Sequence, residues 1–164
     1  MEKFWQEQLR RVDHLLRIIN SENPYEYILG LSFYDIIIFS CQNMWHLKDW
    51  IINDSNFHAI NKELLKDDIH SSKCLLICSD IANGLKHFKL KNIKKGGKIS
   101  ERRGIHINST KGIFKEFYYI DLNDHNSKYY GMEIRDFLNI CRQNWEKIIN
   151  KHNYSDVIIS SNLR

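Results

Sequence analysis

Asp80, Asn83 and His87 follow one another at steps of three and four residues in the stretch CLLICSDIANGLKHFKL, Cys74 to Leu90. At about 100° per residue these three side chains fall within about 60° on a helix. Ile77, Ile81, Leu85 and Phe88 occupy the adjacent arc, so the polar line borders an apolar face. A second stretch repeats the pattern. Asp35, Gln42, His46, Asp49 and Asn53 also fall within about 60°, beside Phe39 and Trp50. An acid, an amide and a histidine at the edge of a core can do proton-transfer chemistry near neutral pH. They can equally well satisfy one another and only fix two helices. If the helices are neighbours, the chemical reading places Asp80, Asn83, Lys86 and His87 opposite His46 and Asp49 across a cleft. Gly84, beside the line, costs a helix about 1 kcal/mol relative to alanine and suits a close approach to the backbone.

Other chemistries find less in the sequence. His46 with Asp49, and Asp80 with His87, offer two histidines and two carboxylates for a Zn, Mn or Fe ion, but not the Glu-x-x-His pairs of di-iron bundles. A lysine next to His87 also opposes a cation, and no metal or other cofactor is assigned. No nucleophile elbow, P-loop or dinucleotide fingerprint is present. KKGGK lacks phosphate-loop spacing and reads as a connector. Cys41, Cys74, Cys78 and Cys141 lie among apolar residues, and Cys74 and Cys78 are one helical turn apart. They read as reduced core thiols of a cytoplasmic protein.

The charge is unevenly spread. Between residues 86 and 103 there are eight cations, Lys86, Lys89, Lys91, Lys94, Lys95, Lys98, Arg102 and Arg103, against Glu101 alone. That is +7 locally, which leaves −3 of the chain's net +4 for the remainder. An acidic body with one basic patch suits a polyanion partner. A solvated loop whose lysines favour a helix C-terminus is the other reading.

The elements that must position these residues follow from periodicity. Hydrophobic residues are 43% of the 164 and charged residues 27%, as in a soluble globular domain. One proline and seven glycines favour helices. Trp5, Leu9, Val12, Leu16 and Ile19 predict a helix over about 2–20. A long helix over about 25–53 follows, then a short one over 62–66. The next, capped by Asp68 or Ser71, runs to about Leu90. Alternation in ISERRGIHIN and KGIFKEFYYIDL predicts a β-hairpin over about 99–122. A last helix carries Ile134, Phe137, Leu138, Cys141, Trp145, Ile148 and Ile149. The expected fold is mainly α: a four-to-five-helix bundle over 1–152, with the hairpin inserted before the last helix, and a tail over 153–164. MEKFWQEQLRRVDH lacks the apolar run of a signal peptide. YILGLSFYDIIIFSCQNMW is interrupted by polar residues and suits a buried helix better than a membrane span.

ANGLKH, residues 82–87, resembles the signature helix of HEPN domains, helical bundles that include many ribonucleases of bacterial conflict and defence systems. Their motif is an arginine, usually followed by a polar residue, with a histidine a few residues on. Asn83 matches the polar position and His87 the histidine, while Ala82 stands where the arginine belongs. The resemblance implies an RNA-directed protein and a homodimer meeting at this motif. It implies a metal-independent endoribonuclease in which His87 moves a proton, Asn83 orients the phosphate or the histidine, and His46 is a second acid–base group. Lys89, Lys91, Lys94, Lys95, Lys98, Arg102 and Arg103 would hold the RNA backbone. The absent arginine leaves open a binding module without catalysis. WHLKDW together with DIANGLKH also resembles a group of short bacterial proteins, a likeness that implies no activity. A non-catalytic interaction protein, presenting the aromatic hairpin as a pairing edge, is the remaining expectation.

Overall fold

The structure is a computed structural model that describes residues 4–21, 31–55, 57, 61–86, 98–102 and 117–153, with the backbone alone for 84–86 and 98–102. It is mainly α, as the periodicity predicts. The elements run α1 (Phe4–Asn20), α2 (Phe33–Asn53), α3 (Lys62–Ser71), α4 (Lys73–Lys86), β1 (Lys98–Arg102), β2 (Phe117–Asp121) and α5 (Ile134–His152). β1 and β2 pair antiparallel, Lys98 opposite Asp121 and Arg102 opposite Phe117. Among the described residues no helix is long and apolar enough to cross a membrane.

α1 buries Trp5, Val12, Leu16 and Ile19, the stripe expected of an amphipathic helix. The same face also takes Gln8, whose amide is satisfied by donating to Asn43 Oδ1 at 2.8 Å on α2. α2 is the central helix and packs against α1, α4, α5 and α3. It begins at Phe33, later than the expected Tyr25, because Ser32 and Asp35 form a reciprocal capping box. Asp35, one of the polar-line residues, is therefore spent on its own helix terminus. The Ser32 hydroxyl and backbone N–H hold its carboxyl below the usual range.

α3 is longer than the predicted 62–66 because Asn61 caps it, accepting from the Glu63 and Leu64 N–H groups, while Leu65 and Ile69 anchor it to the core. Neither Asp68 nor Ser71 caps α4. Ser72 ends α3, and its carbonyl accepts the Leu76 N–H to begin α4. Asp68 instead joins the far end of α5, accepting from Lys151 Nζ at 2.6 Å and lying 2.7 Å from His152 Nε2. Those two groups hold its carboxyl below the usual range, Lys151 foremost.

α5 closes the bundle. Glu133 caps it, and Arg135 links it back to α1 by donating to the Ile19 carbonyl at 2.9 Å. Arg142 meets Asp13 of α1 at 2.6 Å. Before α5 the chain turns back on β2, with Gly131 N–H donating to Ile120 O at 2.8 Å. Gly131 has φ 71°, left-handed backbone that suits glycine. In β2 Tyr118 and Ile120 point into the core while their neighbours lie half-exposed, the period-2 signature of a strand with one buried face.

Asp54 joins the end of α2 to the start of α1. Its N–H closes α2 on Trp50 O, and its buried carboxylate accepts the Trp5 N–H at 3.0 Å. A carboxylate from another helix thus acts as cap for the first turn of α1. Asp54→Ala is expected to lower stability by about 1–2 kcal/mol, while Asp54→Asn keeps most of it. Urea unfolding monitored by circular dichroism reads the difference, and equal losses in the two variants would remove Asp54 from the capping role.

Candidate functional site

α4 carries the candidate line from the core outward. Cys74 to Ala82 form a continuous buried run, and Asp80 lies in it at 4% exposure. Ala82 is also buried, at 6%. Asn83 is half-buried and donates to Ser79 Oγ at 3.2 Å, one turn back on the same helix. Its amide is engaged with its own helix. Lys86 ends the described part of α4.

The other half of the expected cleft sits in a different environment. α2 and α4 do pack against each other, but through the apolar residues of α2. His46 and Asp49 are exposed, and Asp49 pairs with Lys48 at 2.5 Å. Asn53 donates to the Asp49 carbonyl at 2.8 Å and caps nothing beyond its own helix. The α2 polar line therefore belongs to the solvent side of the helix, and Asp80 to the inside of the bundle. His87 lies outside the described residues, as do Lys89, Lys91, Lys94, Lys95 and Arg103. Lys98 and Arg102 are placed at the two ends of β1. Among the described residues no group of three or more His, Cys, Asp or Glu is positioned to hold a metal ion.

The polar line of α2 does border grooves, with α1 as the other wall. One hollow of about 360 Å³ is lined by Phe4, Asp49, Trp50, Asn53 and Asp54. A second of about 500 Å³ is lined by Glu7, Arg10, Arg11, His14, Leu15, Phe39 and Asn43. Phe4 is 61% exposed and Phe39 40%. Arg11 bridges the two helices, reaching Glu7 at 2.6 Å and covering the Trp50 ring with its guanidinium 5.6 Å from the centroid. The sequence signal for this face was the run of Arg10, Arg11, His14 and Arg17 on the polar side of α1.

A polar cluster also lies deep in the bundle. All four cysteines are free and buried. Cys78 Sγ and Cys141 Sγ are 3.6 Å apart, joining α4 to α5. Cys41 of α2 and Cys74 at the start of α4 are the other two buried thiols. Cys74 also meets Ser72 Oγ at 3.3 Å, which accepts from Asn144 Nδ2 at 2.7 Å. Burial is the chief cause that pushes Cys78 and Cys141 well above the ordinary thiol range, and the bond to Cys78 is the chief cause for Cys41. Cys74 moves the other way, to about 6. The Cys141 thiol contributes most, with the Ser72 hydroxyl, the Tyr129 hydroxyl and the Leu75 N–H. Tyr129, pressed by burial and by Cys74, is pushed up to about 12.

No protein-family model, curated protein or solved structure matches this chain.

Proposed function

We propose that this protein is an RNA-binding helical bundle with a HEPN-like arrangement, in which the basic segment over 86–103 holds the nucleic-acid backbone. The observation that carries this reading is the net charge of +7 that the sequence concentrates between residues 86 and 103, the stretch joining α4 to β1. Lysines and arginines at this density release counterions from a polyanion on binding, which gives affinity without base recognition. A cytoplasmic setting and a homodimer meeting at the polar end of α4 belong to the same proposal. Four free thiols suit a reducing compartment.

Binding is favoured over cleavage by the environment of α4. Phosphoryl transfer needs a cation at the phosphate and two positioned proton carriers. Ala82 supplies no cation and is buried, Asn83 is turned to Ser79, and His46 and Asp49 are on the solvent side of α2. The test is incubation of labelled single-stranded RNA with the protein in EDTA, followed by native and denaturing gels. Retarded, intact RNA is the expected result. RNA cleaved in EDTA by the wild type, and spared by His87→Ala, would replace this reading with the endoribonuclease. RNA neither retarded nor cut would remove RNA from the account.

A further inference from the structure

The larger hollow between α1 and α2 sets an open aromatic ring against a row of cations. Phe39 lines it from the central helix, yet keeps 40% of its surface exposed. α1 lines it with Arg10 and His14, and Arg17 follows at the next helical step, all three exposed. The acids of this part of α1 are already engaged. Glu7, the one carboxylate among the lining residues, holds Arg11 at 2.6 Å, and Asp13 meets Arg142 of α5 at 2.6 Å. The α1 wall therefore keeps a surplus of positive charge. The amide of Asn43 is engaged as well. Its oxygen accepts from Gln8 Nε2 at 2.8 Å, and its nitrogen donates to the Phe39 carbonyl at 2.7 Å. Such a hollow can hold a flat ring by its face and an anion by its charge. With its amide spent, it has little to read a hydrogen-bonding edge. Its volume of about 500 Å³ lies within the range of small-molecule sites.

We propose that this hollow is a second contact surface for single-stranded RNA, in which an unpaired base stacks on Phe39 and the flanking phosphates lie along Arg10 and Arg17. The inference rests on the RNA-binding reading above and adds the surface that selects a single strand. Stacking on an aromatic face is tolerant of sequence, because every base has a π-face, and cations along the same groove track the backbone. A duplex keeps its bases inside the helix and offers none to the ring. Charge alone would suit an acidic protein segment equally well. The exposed ring beside the cations is what favours a base. The neighbouring hollow is a built-in control: Phe4 is 61% exposed there, but the lining holds Asp49 and Asp54 and no cation.

The test titrates the full-length protein into labelled single-stranded RNA of mixed sequence, and into an abasic strand of the same length, with fluorescence anisotropy as readout. Phe39→Ala is expected to weaken binding of the RNA roughly tenfold. Phe39→Leu, which keeps apolar bulk and loses the ring, is expected to match it, and it serves where the alanine variant does not melt as a folded protein. Phe39→Tyr keeps the ring and is expected to bind as the wild type, as is Phe4→Ala. The abasic strand is expected to bind the wild type and Phe39→Ala equally, since it keeps the phosphates and has no base to stack. Arg10→Gln is expected to lower the slope of log affinity against log salt by about 0.7. A wild type that binds RNA no better than Phe39→Ala and Phe39→Leu do would overturn this inference and leave the basic segment over 86–103 as the RNA surface. Equal losses in Phe4→Ala and Phe39→Ala would overturn it too. A wild type that binds no RNA would overturn both readings. Unchanged RNA affinity in the Phe39 variants, with a polyglutamate peptide bound by the wild type and lost in Arg10→Gln, would give the hollow to an acidic protein segment instead.

Discussion

Trp145→Ala is expected to lower the stability of the bundle by about 4–6 kcal/mol, a large part of the roughly 5–15 kcal/mol that keeps an ordinary domain folded. Trp145 has no exposed surface and lies in the middle of α5. Its indole N–H donates to the Met44 carbonyl at 2.9 Å, so one side chain both fills the core and ties α5 to the central helix. Removing a buried tryptophan leaves a cavity that neighbours close only in part, and this contributes about 3–5 kcal/mol. The lost hydrogen bond adds about 1 kcal/mol. Trp145→Phe separates the two contributions, since it keeps most of the volume and loses the donor. Its expected loss is about 1–2 kcal/mol. Urea unfolding of the three proteins, read by tryptophan fluorescence and far-ultraviolet circular dichroism, checks the order. An alanine variant as stable as the phenylalanine one would mean that α5 is not held by this residue.

Replacing Lys94, Lys95 and Lys98 together by glutamine is expected to weaken single-stranded RNA binding roughly a hundredfold at about 0.1 M salt. Each lysine in contact with a phosphate contributes about 0.7 to the slope of log affinity against log salt on a single strand, so the slope should fall by about 2. The substitutions are expected to leave the bundle intact, because the buried core among the described residues is built by other side chains. Melting temperature should therefore stay within a degree or two while affinity falls, as expected for surface substitutions. A variant that binds RNA with an unchanged slope would place the contacts elsewhere. The arginines on α1, beside the 500 Å³ groove, are the next basic surface to test.

Much of the bundle was legible because each helix carries its own record of burial. Trp5, Val12, Leu16 and Ile19 repeat at helical spacing and face the core, and Phe137, Cys141, Trp145 and Ile148 do the same on α5. The switch to alternation at FYYID marked β2 in the same way. Helix ends were harder. α2 starts at Phe33 through a Ser32–Asp35 pairing that competes with a continuous apolar run upstream. Asp68 has the chemistry of a cap, but its partners Lys151 and His152 are more than eighty residues away. Asp54 caps the N–H of Trp5, forty-nine residues earlier. Local sequence does not record such pairings.

The candidate site was legible as a pattern of residue types and not as an assembly. A helical wheel assigns Asp80 and Asn83 to one line, and His46 and Asp49 to another, without saying which neighbour each line meets. The structure turns Asp80 into the bundle and leaves His46 and Asp49 exposed, while the isoleucines of α2 are buried. The cysteines show the reverse case. Their burial was evident from apolar neighbours, but the meeting of Cys78 with Cys141 depends on how α4 and α5 pack.

The measurement closest to the central claim is a fluorescence anisotropy titration of single-stranded RNA with the wild-type protein in EDTA, repeated across a series of salt concentrations. The account predicts binding that strengthens steeply as salt is lowered, with a log–log slope equivalent to several phosphate contacts. An anisotropy that does not rise at the lowest salt, or an affinity indifferent to salt, would contradict it.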